Sequence, residues 1–221
     1  MRYLAVSRAS IASLAALFFW ALGASSSQAC LVLPAGLGPD DPFRLAFVTS
    51  GVRNAESTDI ADYNAFVSAA ANAVPELAAL GTDWYAVVST ATVDARDNTG
   101  TAPPGDVPVY LLNGTMLATS YNDLWDWSIA VPWDYSELCA TVQGSSNIWT
   151  GTNGFGVADQ ALGIANPTIG SRTATDNQVW VRVGSGASSA NLGFYAISGV
   201  LTISEVPNED QTWDRIKAQY R

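Results

Sequence analysis

Histidine is absent from this 221-residue chain, and lysine occurs once, at Lys217 near the C-terminus. Each absence removes a class of chemistry. Without imidazole no Ser-His-Asp or Cys-His nucleophile can be assembled. A histidine-based zinc or iron site is excluded too, and Cys30 and Cys139, the only two cysteines, cannot form a thiolate cage. There is no phosphate-binding loop with its lysine. A Schiff-base lysine inside the domain is ruled out.

Long apolar runs are also scarce. The one example, Ile11 to Ala24, follows a basic start (Arg2, Arg8) and precedes the small residues Ser27-Gln28-Ala29. That is the order of a secretory signal peptide over 1–29, expected to be cleaved after Ala29. The apolar core is shorter than the roughly 20 residues that span a bilayer, so no stable membrane span is expected after cleavage. Residues 30–221 suffice for one domain with a substantial core.

Positive charge is in short supply. Removing Arg2 and Arg8 lowers Lys+Arg from 10 to 8 against 20 Asp+Glu, so the net charge moves from −10 to −12. A surface this acidic repels nucleic acid and anionic headgroups. It suits a secreted, extracellular or cell-envelope domain, or one that binds divalent cations weakly. In an oxidising compartment Cys30 and Cys139 are candidates for a disulfide. The alternative is a lipidated Cys30 with Cys139 buried and free, although Ser27-Gln28-Ala29 lacks the large aliphatic residue usual before a lipidated cysteine.

The chain itself divides into a Pro/Gly-rich lead-in (30–42), a domain (43–204) and a charged tail (205–221). Arg44 to Ser50 reads as a buried strand that Gly51 stops. Thr58 is a cap for a helix whose Ile60, Tyr63, Phe66, Val67, Ala70 and Val74 share one face. Pro75 opens a second short turn. Trp84 to Ser89 is a strand. Val109–Leu112 and Met116–Ala118 flank Asn113-Gly114, a strong hairpin signal. Tyr121 to Trp127 is one or two helical turns, and Ile148 to Thr152 a short core strand. Val179–Val183 and Phe194–Ile203 read as further strands. Residues 128–147, 151–176 and 184–193 read as long loops, and connections of that length commonly carry function. The tail places Trp213, Ile216 and Tyr220 at helical spacing.

Three groups of residues are candidate sites. Asp94, Arg96 and Asp97 follow the Trp84 strand; they suit a cation or sugar-hydroxyl site, or more simply an Arg96–carboxylate bridge that fixes the loop. Asn122, Asp123 and Asp126 offer oxygen ligands within one turn, which makes calcium the one cofactor to consider; helix capping by Asn122 or Asp123 is the simpler account. Trp127 and Trp133 lie in an irregular stretch and are candidates for an exposed aromatic platform, with core packing the simpler account; Trp125 and Trp149 are assigned to the core.

The succession Trp84…Ser89, the Arg96 loop, Pro108-Val109-Tyr110-Leu111-Leu112-Asn113, Asp123-Leu124-Trp125, Ile148-Trp149-Thr150-Gly151-Thr152, Trp180 and Phe194-Tyr195-Ala196-Ile197 resembles the endostatin-like branch of the C-type lectin-like fold. It is similar to secreted bacterial proteins of that fold that carry a C-terminal Pro-Glu-Pro anchor. The resemblance covers roughly 43–203. It implies an α+β domain, with a small twisted antiparallel sheet, one or two helices and long loops. The departures are specific. Endostatin's zinc histidines and heparin-binding arginine clusters have no counterpart here, nor do the calcium triplets of sugar-binding lectins. The tail after Val206-Pro207 lacks the second proline, apolar span and basic end of the bacterial anchor.

These observations lead to an expected non-catalytic binding or matrix domain that contacts glycan or an extracellular protein through its long loops. Two alternatives stand beside it. One is a polysaccharide hydrolase using a carboxylate pair, Asp94 with Asp97 or Asp123 with Asp126. The other is a structural envelope component that docks through its tail.

Overall fold

A computed structural model describes residues 31–203. The expected signal segment 1–29, Cys30 and the tail 205–221 lie outside them. The chain forms an α+β unit around a mixed nine-stranded sheet. The elements in order are β1 (Pro42–Val48), α1 (Ile60–Asn72), α2 (Pro75–Ala78), β2 (Trp84–Ala86), α3 (Ala95–Asn98), β3 (Val109–Leu111) and β4 (Met116–Ala118). There follow α4 (Tyr121–Leu124), β5 (Asn147–Trp149), β6 (Thr168–Ser171), β7 (Gly184–Ser185), β8 (Gly193–Ser198) and β9 (Leu201–Thr202).

β8 is the hub. β1 runs antiparallel along one edge, with Ala46, Phe47 and Val48 opposite Ile197, Ala196 and Tyr195. The other edge is shared by two short strands. β2 pairs antiparallel with Ala196–Ser198, and β5 pairs parallel with Gly193 and Phe194. β2 and β5 therefore run toward each other along β8. They meet where Ser89 N donates to Thr150 O at 2.8 Å. The expectation of an antiparallel sheet is corrected here, because β1–β3 and β5–β8 are both parallel. The long connections between the paired strands make this possible, since a parallel pair needs a crossover rather than a hairpin.

Side-chain alternation divides the interior into two cores. Leu45, Phe47, Tyr110, Trp149, Phe194 and Ala196 face α1 and α2, where they meet Tyr63, Val67 and Leu77. Their neighbours Ala46, Val48, Leu111, Ile148, Tyr195 and Ile197 face the opposite side, against Trp125, Ile129, Trp133 and Trp180. A sheet buried on both faces needs continuous apolar strands, and β1 and β8 supply them. The second face is covered by irregular chain and by the single-turn helices α3 and α4, through Ala95 and Leu124. The long connections are thus partly core: Ile129, Trp133, Leu162 and Ile169 within them are buried.

Several sequence expectations hold in detail. The hairpin closes at Asn113-Gly114, with Gly114 at φ +80° and its N–H on Leu111 O. Pro75 opens α2. Others are corrected. Asp59, not Thr58, caps α1 by accepting from Ala61 N at 2.9 Å. Residues 179–183 form no strand, because Asn177 and Gln178 at φ +49° and +55° turn the chain and Val181 N and Arg182 N return to Gln178 O. Within 151–176, read as loop, β6 pairs with β5.

Candidate functional site

Of the residues singled out from sequence, Asp94, Arg96 and Trp127 are brought to one place, the loop 153–158. Asp94 Oδ1 accepts from Ala158 N at 2.7 Å. Arg96 N donates to Gly156 O at 3.1 Å. Trp127 lies on the other flank, edge-on to Phe155 with ring centroids 5.4 Å apart and planes at 75°. Both rings are open to solvent, Trp127 at 42% and Phe155 at 53% exposure.

This exposure is imposed by the backbone. Trp127 sits at φ +85°, a conformation that bulky residues rarely adopt and that costs on the order of 1–3 kcal/mol. It is held there from three sides. Gln178 N donates to Trp127 O at 2.6 Å, Gln178 Oε1 accepts from Gly154 N at 3.1 Å, and Ile129 N donates to Thr175 O at 2.8 Å. Gly154 is required at this junction, because a Cβ there would lie 2.9 Å from Gln178 Cβ and 3.1 Å from the Trp127 ring. The aromatic pair is therefore preorganised, a state that reduces the entropy cost of binding.

Arg96 adds a cation beneath this loop. Its Nε is buried without a hydrogen-bond partner among the described residues and lies 4.0 Å from Asp97 Oδ1. That distance is too long for the hydrogen-bonded bridge expected from sequence. Asp97 points elsewhere, into a recess of about 310 Å³ that it lines with Arg44 and Tyr85.

A charged pair braces the far side of the same loop region. Arg182 Nε donates to Asp159 Oδ2 at 2.7 Å, and Thr168 Oγ1 donates to the same oxygen at 3.0 Å. Burial alone would raise the Asp159 carboxyl. The Arg182 and Thr168 hydrogen bonds and the Arg182 charge outweigh it, and the group is held below its ordinary 3.8. A depressed folded-state value stabilises the fold above the unfolded value and loses that contribution as the pH falls through the folded one. Arg182→Gln is therefore expected to raise the Asp159 value and move acid unfolding to higher pH. An NMR titration of the carboxyl carbon, alongside an acid-unfolding curve, checks both.

The remaining candidates serve the chain locally. Trp133 is fully buried and is corrected from platform to core. Ser120, not Asn122 or Asp123, caps α4 by accepting from Asp123 N at 3.1 Å. Asp123 Oδ2 reaches back to Thr119 N at 2.6 Å and Thr119 Oγ1 at 2.8 Å. Asp126 Oδ1 accepts from Ser128 N and Oγ. Among the described residues no three His, Cys, Asp or Glu side chains are grouped to hold a metal ion. Cys139 packs half-buried against the helix-side core, while Cys30, the other end of the expected bridge, lies outside the described residues. No described helix is long and apolar enough to cross a membrane.

Sequence reasoning missed Phe155 and Gln178. A signal for Phe155 existed: a bare aromatic between Gly154 and Gly156 in an otherwise polar stretch. Gln178 carried none, because its role comes from the turn that displaced the expected strand. The chain matches no model of a known protein family and no curated protein.

Proposed function

We propose that this chain is a secreted or surface-associated, non-catalytic binding domain of C-type lectin-like, endostatin-like fold, and that it contacts glycan through the loop face around Trp127 and Phe155. The observation that carries the reading is the exposed Trp127, fixed in a left-handed conformation by Gln178 and Gly154. A rigid indole open to solvent suits the apolar face of a sugar ring, and tryptophan is enriched among residues that dominate binding energy. The neighbouring Asp94 and Arg96 supply polar groups at the edge of the platform for ring hydroxyls. The absence of histidine from the whole sequence favours contact over acyl-transfer chemistry.

A glycan array probed with the secreted chain tests this. The expected result is retention of one glycan class without turnover. Trp127→Ala should weaken that binding by about 2 kcal/mol, roughly thirtyfold, and leave the unfolding midpoint close to that of the wild type. Equal binding by the variant, or release of shortened polysaccharide by the wild-type chain, would overturn the proposal.

A further inference from the structure

Arg172, immediately after β6, is only 3% exposed. Its Nε donates to Ser145 O at 3.1 Å and one terminal nitrogen to Gly144 O at 3.2 Å, both neutral carbonyls. Two of its five N–H groups are thereby used. The ion pairs among the described residues are Arg96–Asp97 and Arg182–Asp159, so no carboxylate bridges to Arg172 there. A buried cation without a counter-ion is costly, and proteins normally pair or solvate one.

Arg172 lines a cavity of about 110 Å³ at the end of the sheet, where β1 finishes and β5 and β8 begin. Thr49, Ser50, Gln143, Asn147 and Asn191 share the lining. Thr49 Oγ1 is already engaged, donating to Gly51 O and accepting from Phe194 N. Ser50 donates through its N–H and hydroxyl to the Glu137 carboxylate. The Asn147 and Asn191 carboxamides make no hydrogen bond to other described residues. Ile148 and Leu192 supply apolar wall. The cavity thus offers a cation with spare donors, two spare carboxamides and an apolar patch. At about 30 Å³ of liquid volume per water, it has room for a carboxylate and the first carbons behind it.

We infer that the Arg172 cavity is an anion subsite that receives the carboxylate of a small hydroxylated acid, either a uronic acid sugar or a free hydroxy acid. The carboxylate engages the planar guanidinium, whose fork favours this geometry. Hydroxyl groups on the ligand bond Asn147 and Asn191. The sugar source extends the glycan reading to acidic glycans and rests on that reading; the carboxylate site itself does not.

An NMR titration of the secreted chain with sodium glucuronate, sodium lactate, sodium acetate and glucose tests the assignment. Saturable shifts at the Asn147 and Asn191 side chains and at Arg172 Nε are expected with glucuronate or lactate. The tighter of the two identifies the source. Glucose should give none, and acetate should bind about tenfold or more weakly than either hydroxy acid. Arg172→Lys, which keeps the charge but loses the fork, should weaken binding about tenfold. Because Arg172 is buried, the exposed Asn191→Phe provides a second variant that fills the mouth and should abolish the shifts in a chain with unchanged thermal unfolding. Glucose shifting the same atoms, acetate equalling glucuronate and lactate, or undiminished binding in a folded Asn191→Phe chain would each overturn it. Monosaccharide titration of Trp127→Ala separates the two proposals. Retained glucuronate binding with lost array binding assigns the two sites independently, and loss of glucuronate binding in Trp127→Ala overturns a separate Arg172 subsite.

Discussion

Replacing Trp133 with alanine is expected to cost about 3–5 kcal/mol of stability, the range for removing a buried tryptophan, and to lower the melting temperature by roughly 10 °C for a domain of this size. Trp133 has no exposed surface. It stacks on Tyr195 at 4.5 Å between centroids with planes at 27°, and on Trp180 at 6.0 Å and 26°. Tyr195 belongs to β8, the strand on which β1, β2 and β5 all pair. The cavity left by alanine would therefore open directly against the hub. Among the described residues this face is covered by irregular chain and the four-residue α3 and α4, so there is no long helix to close in. Trp133→Phe should cost much less, about 1–2 kcal/mol, because Trp133 Nε1 has no hydrogen-bond partner among the described residues and phenylalanine loses none. Trp149 provides the contrast, since its Nε1 donates to Ala190 O at 3.2 Å. Urea unfolding of the two variants beside the wild type checks the order. An alanine variant as stable as the wild type would mean that the stack does not hold the loop face to the sheet.

The same residue shows where sequence reasoning stops. Trp133 and Trp127 both lie in a stretch without periodicity, and both were equally eligible for exposure. What separates them is long-range. Tyr195 and Trp180, 62 and 47 positions further on, close over Trp133. The left-handed Trp127 is turned outward by a bond from Gln178. Elements set by local rules were legible: β1 from its apolar run, α1 from three-and-four spacing, and the hairpin from Asn113-Gly114. Elements set by partners were not. Thr168-Ile169-Gly170-Ser171 carries a glycine and only one large apolar residue, yet it is a strand because β5 lies beside it. Its Gly170 leaves room for the crossing chain, since a Cβ there would lie 2.2 Å from Trp180 O. Val179-Trp180-Val181 has ideal strand composition, yet it turns, and its tryptophan fills the second core. Of the candidate site, Asp94, Arg96 and Trp127 were legible as residue types; their convergence on one loop was not.

Arg44→Met is expected to be as damaging as the loss of Trp133, again about 3–5 kcal/mol, for a different reason. The side chain is 6% exposed. Nε donates to the Tyr121 hydroxyl at 2.7 Å. One terminal nitrogen donates to Thr99 O at 2.9 Å and Ser198 O at 2.6 Å, and the other to Gly100 O at 3.1 Å. Those four acceptors come from the start of α4, the exit of α3 and the end of β8, elements that are remote in sequence. Methionine matches much of the volume, so packing is largely kept. What is lost is the donor for three carbonyls and a hydroxyl, of which Thr99 O, Ser198 O and the Tyr121 hydroxyl are already withdrawn from water. An unmet buried acceptor costs about 1–3 kcal/mol, and solvent entering the adjacent recess can satisfy only those nearest Gly100. Arg44→Lys separates charge from geometry. Lysine retains the cation but offers its donors from a single point, so it should recover no more than about half of the loss. If urea midpoints show lysine equal to arginine, the charge alone matters and the four-way fork is dispensable. If methionine equals arginine, the three junctions are held by packing without it.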